Sequence, residues 1–169
     1  MHYVGLREAE IPAANGHFSA QALAAFYDKL GATATKSSPS PHKQVEEFRG
    51  WKSGWADSIL EKCRSLKESK VLVVEGESLL QGRSGAFLDG FTLFPSSDES
   101  SGVITLGHAG LGGSVAFVRI DGDTGDSLAV ALTLNRLSTE NNDTTYRILR
   151  AIYKELNIAI PSAYSSTSE

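Results

Sequence analysis

Residues 114–134, SVAFVRIDGDTGDSLAVALTL, decide the fold class of this chain. They contain two runs rich in apolar and β-branched residues, 114–120 and 127–134, and such runs are typical of strands. Between the two runs, residues 121–126 supply three aspartates and two glycines, which are residue types that favour tight turns. Two strand-like runs joined by so short a turn predict a β-hairpin.

Helices and further strands are predicted on both sides of this hairpin. Apolar residues recur every three or four positions in 20–30 and 144–157, which predicts an amphipathic helix at each place. Three more strand-like runs precede the hairpin, at 71–74, 86–94 and 103–106. Because the strands follow one another instead of alternating with helices, we expect an α+β fold with an antiparallel sheet flanked by helices.

The remaining segments define the predicted domain organisation. Ser19 is the expected N-cap of the first helix, and Gly31 is its expected C-terminal stop. We interpret residues 32–84 as a variable insert, with a Pro-containing loop at 32–42 and two helical pieces at 43–68. The chain is thus predicted to hold one domain or domain portion at 1–160, followed by a frayed tail at 161–169.

The composition of the 169 residues excludes several function classes. A net charge of −4 argues against nucleic acid as a partner, because proteins that bind the phosphate backbone carry a basic face. A single cysteine excludes a disulfide scaffold and a Cys-x-x-Cys zinc site. No apolar run reaches the roughly 18 residues that a membrane span requires. The first residues show no signal peptide, which predicts a soluble protein but leaves its compartment open. We expect neither a metal nor a cofactor.

The stretch that carries the strongest chemical signal is residues 107–114, GHAGLGGS. Its glycines follow one strand-like run and precede another, where glycine often allows a ligand to approach the backbone closely. His108 adds a side chain that can donate, accept or titrate near neutral pH. The alternative is a glycine-rich hairpin turn with an incidental histidine.

This stretch resembles the third active-site motif of serine β-lactamase-related proteins. The motif is Lys-Thr-Gly in penicillin-binding proteins, and often His-x-Gly followed by paired glycines in class C-like and esterase-like members. Residues 7–17 together with the helix at 20–30 are similar to a segment of the family's all-α region. Residues 130–136, VALTLNR, are similar to the family's sheet strand that ends in Asn-Arg.

The resemblance implies a three-layer serine β-lactamase/transpeptidase-like architecture, of which residues 1–160 would be the C-terminal portion, and acyl transfer through an acyl-serine. It places His108, Ala109 and Gly110 on a strand that forms one wall of the catalytic site. Gly112, Gly113 and Ser114 would support the backbone and contact the substrate. In the complete domain the substrate would be a small ester, amide or lactam. The resemblance also implies that an atypical-kinase domain can lie upstream in a full-length chain.

The nucleophile motif of that family, Ser-x-x-Lys at the start of a buried helix, has one literal match in this chain. Ser40-Pro41-His42-Lys43 lies in the Pro-containing loop, and about one such match is expected by chance. We therefore predict that the chain lacks the nucleophile and does not turn over substrate alone. Two alternatives stay open: a non-enzymatic interaction module that uses the same sheet, and a truncated product whose unpaired sheet edge makes it associate with another chain.

Other candidate sites are weaker. The aspartates of residues 121–126 do not follow a calcium loop, because Asp126 stands at position six and Leu132 at position twelve. Cys63 falls on an apolar helical stripe and is expected to be buried and inert. Tyr164 begins a nominal match to the family's second motif, which we interpret as accidental.

Overall fold

The computed structural model describes residues 18–35, 58–59, 61–62, 65, 86–88, 90–94, 96, 102–110, 112–135 and 143–165. The described elements begin with helix α1 and end with a short 3-10 helix, and five strands and helix α2 lie between them. Their bounds are α1 Ala20–Thr35, β1 Ala86–Leu88, β2 Phe91–Phe94, β3 Val103–Ala109, β4 Val115–Asp121, β5 Ser127–Leu132, α2 Asp143–Glu155 and the 3-10 helix Ser162–Tyr164.

The five strands form one antiparallel sheet in which each strand pairs with the next one along the chain. The predicted hairpin is confirmed: β4 pairs with β5 from Val115↔Leu132 to Ile120↔Ser127. At the turn, Asp121 N–H donates to the carbonyl of Asp126 at 2.9 Å. The predicted α+β class, an antiparallel sheet with flanking helices, is therefore confirmed.

Helix α1 packs on one face of the sheet and helix α2 packs on the other. Successive side chains of a strand point to opposite faces, so Ala116 and Val118 of β4 face α1 whereas Val115 and Phe117 face α2. The cluster on the α1 face, named here the α1 cluster, consists of Tyr27, Leu30, Ile59, Leu93, Ile104, Leu106, Ala116, Val118 and Ile120. The α2 cluster consists of Phe94, Ala109, Val115, Phe117, Val130, Leu149, Tyr153 and Tyr164.

Residues 161–165, the described part of the predicted frayed tail, are packed into the fold. Pro161 and Tyr164 are fully buried, and Pro161 forms a β-bridge with Ser96. The Tyr164 ring lies 5.8 Å from Phe94 and 5.5 Å from Tyr146. Burial of this aromatic ring joins residues 161–165 to the α2 cluster. Residues 166–169 of the predicted tail lie outside the described residues.

Two glycine positions correct the predicted element bounds. Gly31 does not end the first helix, which continues to Thr35. The run at 86–94 is not one strand, because Gly90, with φ at +90°, turns the chain between β1 and β2. The N-cap prediction is confirmed, since Ala22 N–H donates to Ser19 Oγ at 3.1 Å.

Gly31 is explained by packing. A Cβ at this position would lie 2.8 Å from both Ser127 Cβ and Val118 Cγ2, well inside the ~3.5 Å at which carbon atoms normally touch. The absence of a side chain therefore allows α1 to lie close against β4 and β5.

We expect the variant Gly31→Ala to be less stable than the wild type, by up to about 2 kcal/mol. Alanine gains about 1 kcal/mol in helix propensity, but overpacking costs about 1–3 kcal/mol. Urea unfolding measures the difference. Ala25→Gly, at an exposed position in the middle of the same helix, reports the propensity effect alone. A Gly31→Ala protein more stable than the wild type would contradict the packing explanation.

Several predictions on the insert at 32–84 lie outside the described residues. These include the strand-like run at 71–74, the motif match at Ser40 and the buried position of Cys63. Ser58, Ile59 and Glu61 are helical, and Ile59 is buried in the α1 cluster. Among the helices described, none is both long and apolar enough to cross a bilayer.

Candidate functional site

The candidate site is the end of strand β3 and the turn that follows it. The strand is longer than predicted and includes His108 and Ala109, which pair with Ala116 and Val115 of β4. His108 is exposed, whereas Ala109 is buried in the α2 cluster. Because strand side chains alternate between faces, the imidazole lies on the α1 side of the sheet and the methyl group of Ala109 on the other. Of this pair, only His108 offers a side chain to a ligand.

The turn after β3 is closed by its own backbone. Gly110 N–H donates to the carbonyl of Ser114 at 2.8 Å, and Gly113 N–H donates to the carbonyl of Gly110 at 3.0 Å. Gly113 has φ at +86°, which favours glycine over residues that carry a Cβ. Both amides are thus used inside the turn. They are not available to hold a substrate oxyanion in this conformation.

The hydrogen bonds of two side chains connect this turn to the rest of the fold. Thr145 Oγ1 of α2 is buried and donates to the carbonyl of Gly113 at 2.6 Å. Ser114 Oγ accepts from Leu134 N–H at 2.9 Å and lies 3.4 Å from the Leu134 carbonyl, to which it donates. The Ser114 hydroxyl, which is predicted to contact the substrate, bridges the start of β4 to the chain after β5.

We expect Thr145→Val to lower the free energy of unfolding by about 1–3 kcal/mol, because the buried Gly113 carbonyl loses its donor without a change in side-chain volume. Thr144→Val is the matched control: Thr144 is the preceding helix residue and is exposed, so its loss should stay within about 0.5 kcal/mol. Chemical denaturation measures both variants. Equal effects of the two substitutions would show that the bond does not anchor the turn.

The acidic turn at 121–126 is held together by hydrogen bonds. Asp121 Oδ1 accepts from the backbone N–H groups of Asp123 at 3.0 Å and Thr124 at 3.1 Å. The Thr124 hydrogen bond is the main reason that the pKa of the Asp121 carboxyl is lowered, and Asp123 N–H and the nearby Arg119 guanidinium add to it. Within the described part of the chain, no three His, Cys, Asp or Glu residues are grouped to hold a metal ion.

Sequence reasoning missed two features of this face of the sheet. In the sequence, Thr145 is indistinguishable from any other residue in the first turn of a helix. No sequence pattern therefore indicated its hydrogen bond to the Gly113 carbonyl. Arg119 Nε and Tyr153 OH are buried on the α2 face without a hydrogen-bond partner among the described residues. Burial raises the pKa of the Tyr153 phenol well above its usual value. The apolar character of this strand did not indicate that Arg119 Nε would be buried there.

A depression of about 450 Å³ on the outer surface of α2 is lined by Thr144, Arg147, Ile148 and Ala151. None of the six predicted site residues lines it. It is therefore separate from the strand end that carries His108.

No family model, curated protein or solved structure matches this chain.

Proposed function

We propose that this chain is part of a serine β-lactamase-related domain and supplies one wall of its acyl-transfer site. The observation that carries the proposal is the position of His108-Ala109-Gly110 at the end of β3, an interior strand of the sheet. The order of β3, β4, β5 and α2, with a helix on each face, supports the proposed three-layer architecture. The substrate class is a small ester, amide or lactam.

In this proposal the nucleophile comes from outside the described residues. A serine oxygen attacks the acyl carbon and the leaving group departs with a proton. Water then attacks the acyl-serine, which releases the acid and restores the serine. His108 contributes its exposed imidazole as a polar contact to the bound substrate. The oxyanion is held by amides other than those of Gly110 and Gly113, because these two already donate within the turn.

The test compares the 169-residue chain with the product of the full transcript, including any upstream reading frame. Each is incubated with a chromogenic β-lactam and a short acyl ester, and covalent adducts are measured by mass spectrometry. We expect an acyl-serine only in a product whose added segment contains a Ser-x-x-Lys helix. In that product, His108→Ala should slow acylation about tenfold or more, whereas Arg147→Ala, on the exposed surface of α2, should not.

Serine-dependent turnover by the 169-residue chain alone would overturn the predicted absence of the nucleophile. A full-length product that contains the Ser-x-x-Lys helix but is never acylated would overturn the proposal as a whole.

A second candidate function, a non-enzymatic interaction module, is favoured by the closed turn. Gly110 N–H, Gly113 N–H and the Ser114 hydroxyl all have partners within the fold, which leaves this part of the wall few groups to direct at a substrate. NMR spectra of the His108 ring, recorded on the product of the full transcript, distinguish the two functions. Shifts on addition of the ester or lactam support the hydrolase wall, whereas unchanged spectra at millimolar ligand support the module.

A further inference from the structure

The outer edge of β5 is an open strand edge among the described strands, since the sheet order ends at β5. The nine residues 127–135, SLAVALTLN, contain no charge and no proline. Natural proteins usually protect an exposed edge with lysine, proline or a bulge, because an unprotected edge pairs with other chains. The β5 edge is therefore suited to pairing with a strand of another chain.

The backbone groups that point outward from this edge can be assigned. Asp121 N–H bonds the Asp126 carbonyl, and Leu134 N–H bonds Ser114 Oγ, so the even-numbered residues of this strand turn their backbone polar groups toward β4. In an antiparallel ladder these groups alternate in direction along a strand. The outward N–H and C=O groups consequently belong to the odd-numbered residues Ser127, Ala129, Ala131 and Thr133.

The sequence along this edge is nearly symmetric about Val130. Reading outward from Val130, alanine lies on both sides at 129 and 131, then leucine at 128 and 132. Next come two small hydroxyl residues, Ser127 and Thr133. A strand with this symmetry is complementary to an antiparallel copy of itself, because each side chain meets one of the same size on the same face. An interface built on a two-fold axis requires this property.

We propose that two copies of this chain pair antiparallel through β5, with Val130 on the two-fold axis. Ala129 of one copy then exchanges both backbone hydrogen bonds with Ala131 of the second copy, and Ser127 does the same with Thr133. The two sheets, each of five described strands, become one continuous sheet. Val130 faces its own counterpart as a non-hydrogen-bonded pair.

The charges around the edge are compatible with this register. The acidic turn carries Asp121, Asp123 and Asp126 at one end of β5 only. In the proposed pairing, Asp126 lies opposite Leu134 of the second copy. The two copies of Asp126 are about 27 Å apart along the strands, at ~3.4 Å per residue, which exceeds the screening length of about 8 Å at physiological salt. The turns therefore do not repel across the axis.

Sedimentation equilibrium of the 169-residue chain tests the dimer, and Ala131→Pro tests the edge. Proline removes an N–H that points away from β4, a position at which edge strands tolerate it. We expect the wild type to be dimeric at tens of micromolar and Ala131→Pro to be a folded monomer by circular dichroism. Ala131→Ser, which keeps the N–H, should stay dimeric. A monomeric wild type at 100 µM, or a dimeric Ala131→Pro protein, would overturn the proposal.

Cysteine crosslinking tests the register without relying on proline. In a Cys63→Ser background, Val130→Cys places two thiols across the axis, where Cα atoms of a non-hydrogen-bonded pair are about 4.5 Å apart, within the range of disulfides. We expect mild oxidation to give a crosslinked dimer. Leu128→Cys is the control, because its two copies are about 14 Å apart along the strands. Equal crosslinking of both variants, or none at Val130→Cys, would overturn the proposed register.

Discussion

Replacing Gly107 with alanine is expected to lower the free energy of unfolding by about 3 kcal/mol, the upper end for overpacking a buried site. Gly107 lies in the interior of β3 opposite Phe117 of β4. A Cβ at Gly107 would collide with the carbonyl oxygen of Ala116 and with Cα and Cβ of Phe117. Backbone atoms that are hydrogen-bonded between two strands cannot move away as the end of a flexible side chain can. Strands β3 and β4 would therefore have to separate.

The measurement for Gly107→Ala is urea unfolding followed by circular dichroism. The matched control is Gly110→Ala, three residues further along, where the closest atom to a new Cβ is the Ser114 carbonyl oxygen at 3.6 Å. That distance is an ordinary contact, so the control should lose less than about 1 kcal/mol. Similar losses for the two variants would mean that close strand approach at Gly107 does not limit stability.

The second large effect is expected from Tyr164→Ala, at about 3–5 kcal/mol, the cost typical of removing a buried aromatic side chain. The Tyr164 ring is fully buried and packs near Phe94, Phe117 and Tyr146, with ring centroids 5.5–6.5 Å apart. Its removal leaves a cavity between the sheet and α2. The expected result is a large fall in the urea midpoint with little change in the slope.

Leu156→Ala is the control for Tyr164→Ala, because Leu156 is also a large side chain near the C-terminus but is 49% exposed. It should change stability by no more than about 0.5–1 kcal/mol. A loss below about 1 kcal/mol for Tyr164→Ala would restore the prediction that residues from 161 onward fray. The pair of variants thus measures whether this segment belongs to the core.

Short-range patterns predicted the central elements correctly. The β4–β5 hairpin follows from two runs rich in apolar and β-branched residues around a turn rich in Asp and Gly, and these features depend only on neighbours in the chain. Ser19 as an N-cap is equally local. The candidate stretch at 107–114 was located as a strand end followed by a turn. Only the folded sheet shows that this stretch pairs with β4 and that the side chains of His108 and Ala109 point to opposite faces.

Long-range contacts account for the incorrect predictions. Gly31 has the local properties of a helix stop, yet α1 continues because the missing side chain admits Ser127 and Val118, which are distant in sequence. Residues 161–165 have the composition of a frayed tail, yet Tyr164 finds three aromatic neighbours. A local sequence pattern cannot predict which residues pack against Gly31 or Tyr164, because those residues come close only when the sheet forms.

By itself, the sequence determined the α+β class, the central hairpin and the near-symmetric order of residues along β5. Each of these depends on residue type and on spacing within one segment. Only the tertiary structure decided which glycines permit close packing, that Thr145 holds the turn after His108, and that the β5 edge is open among the described strands. These features depend on which distant segments pack together, and burial of apolar surface by the sheet and its two helices determines that packing.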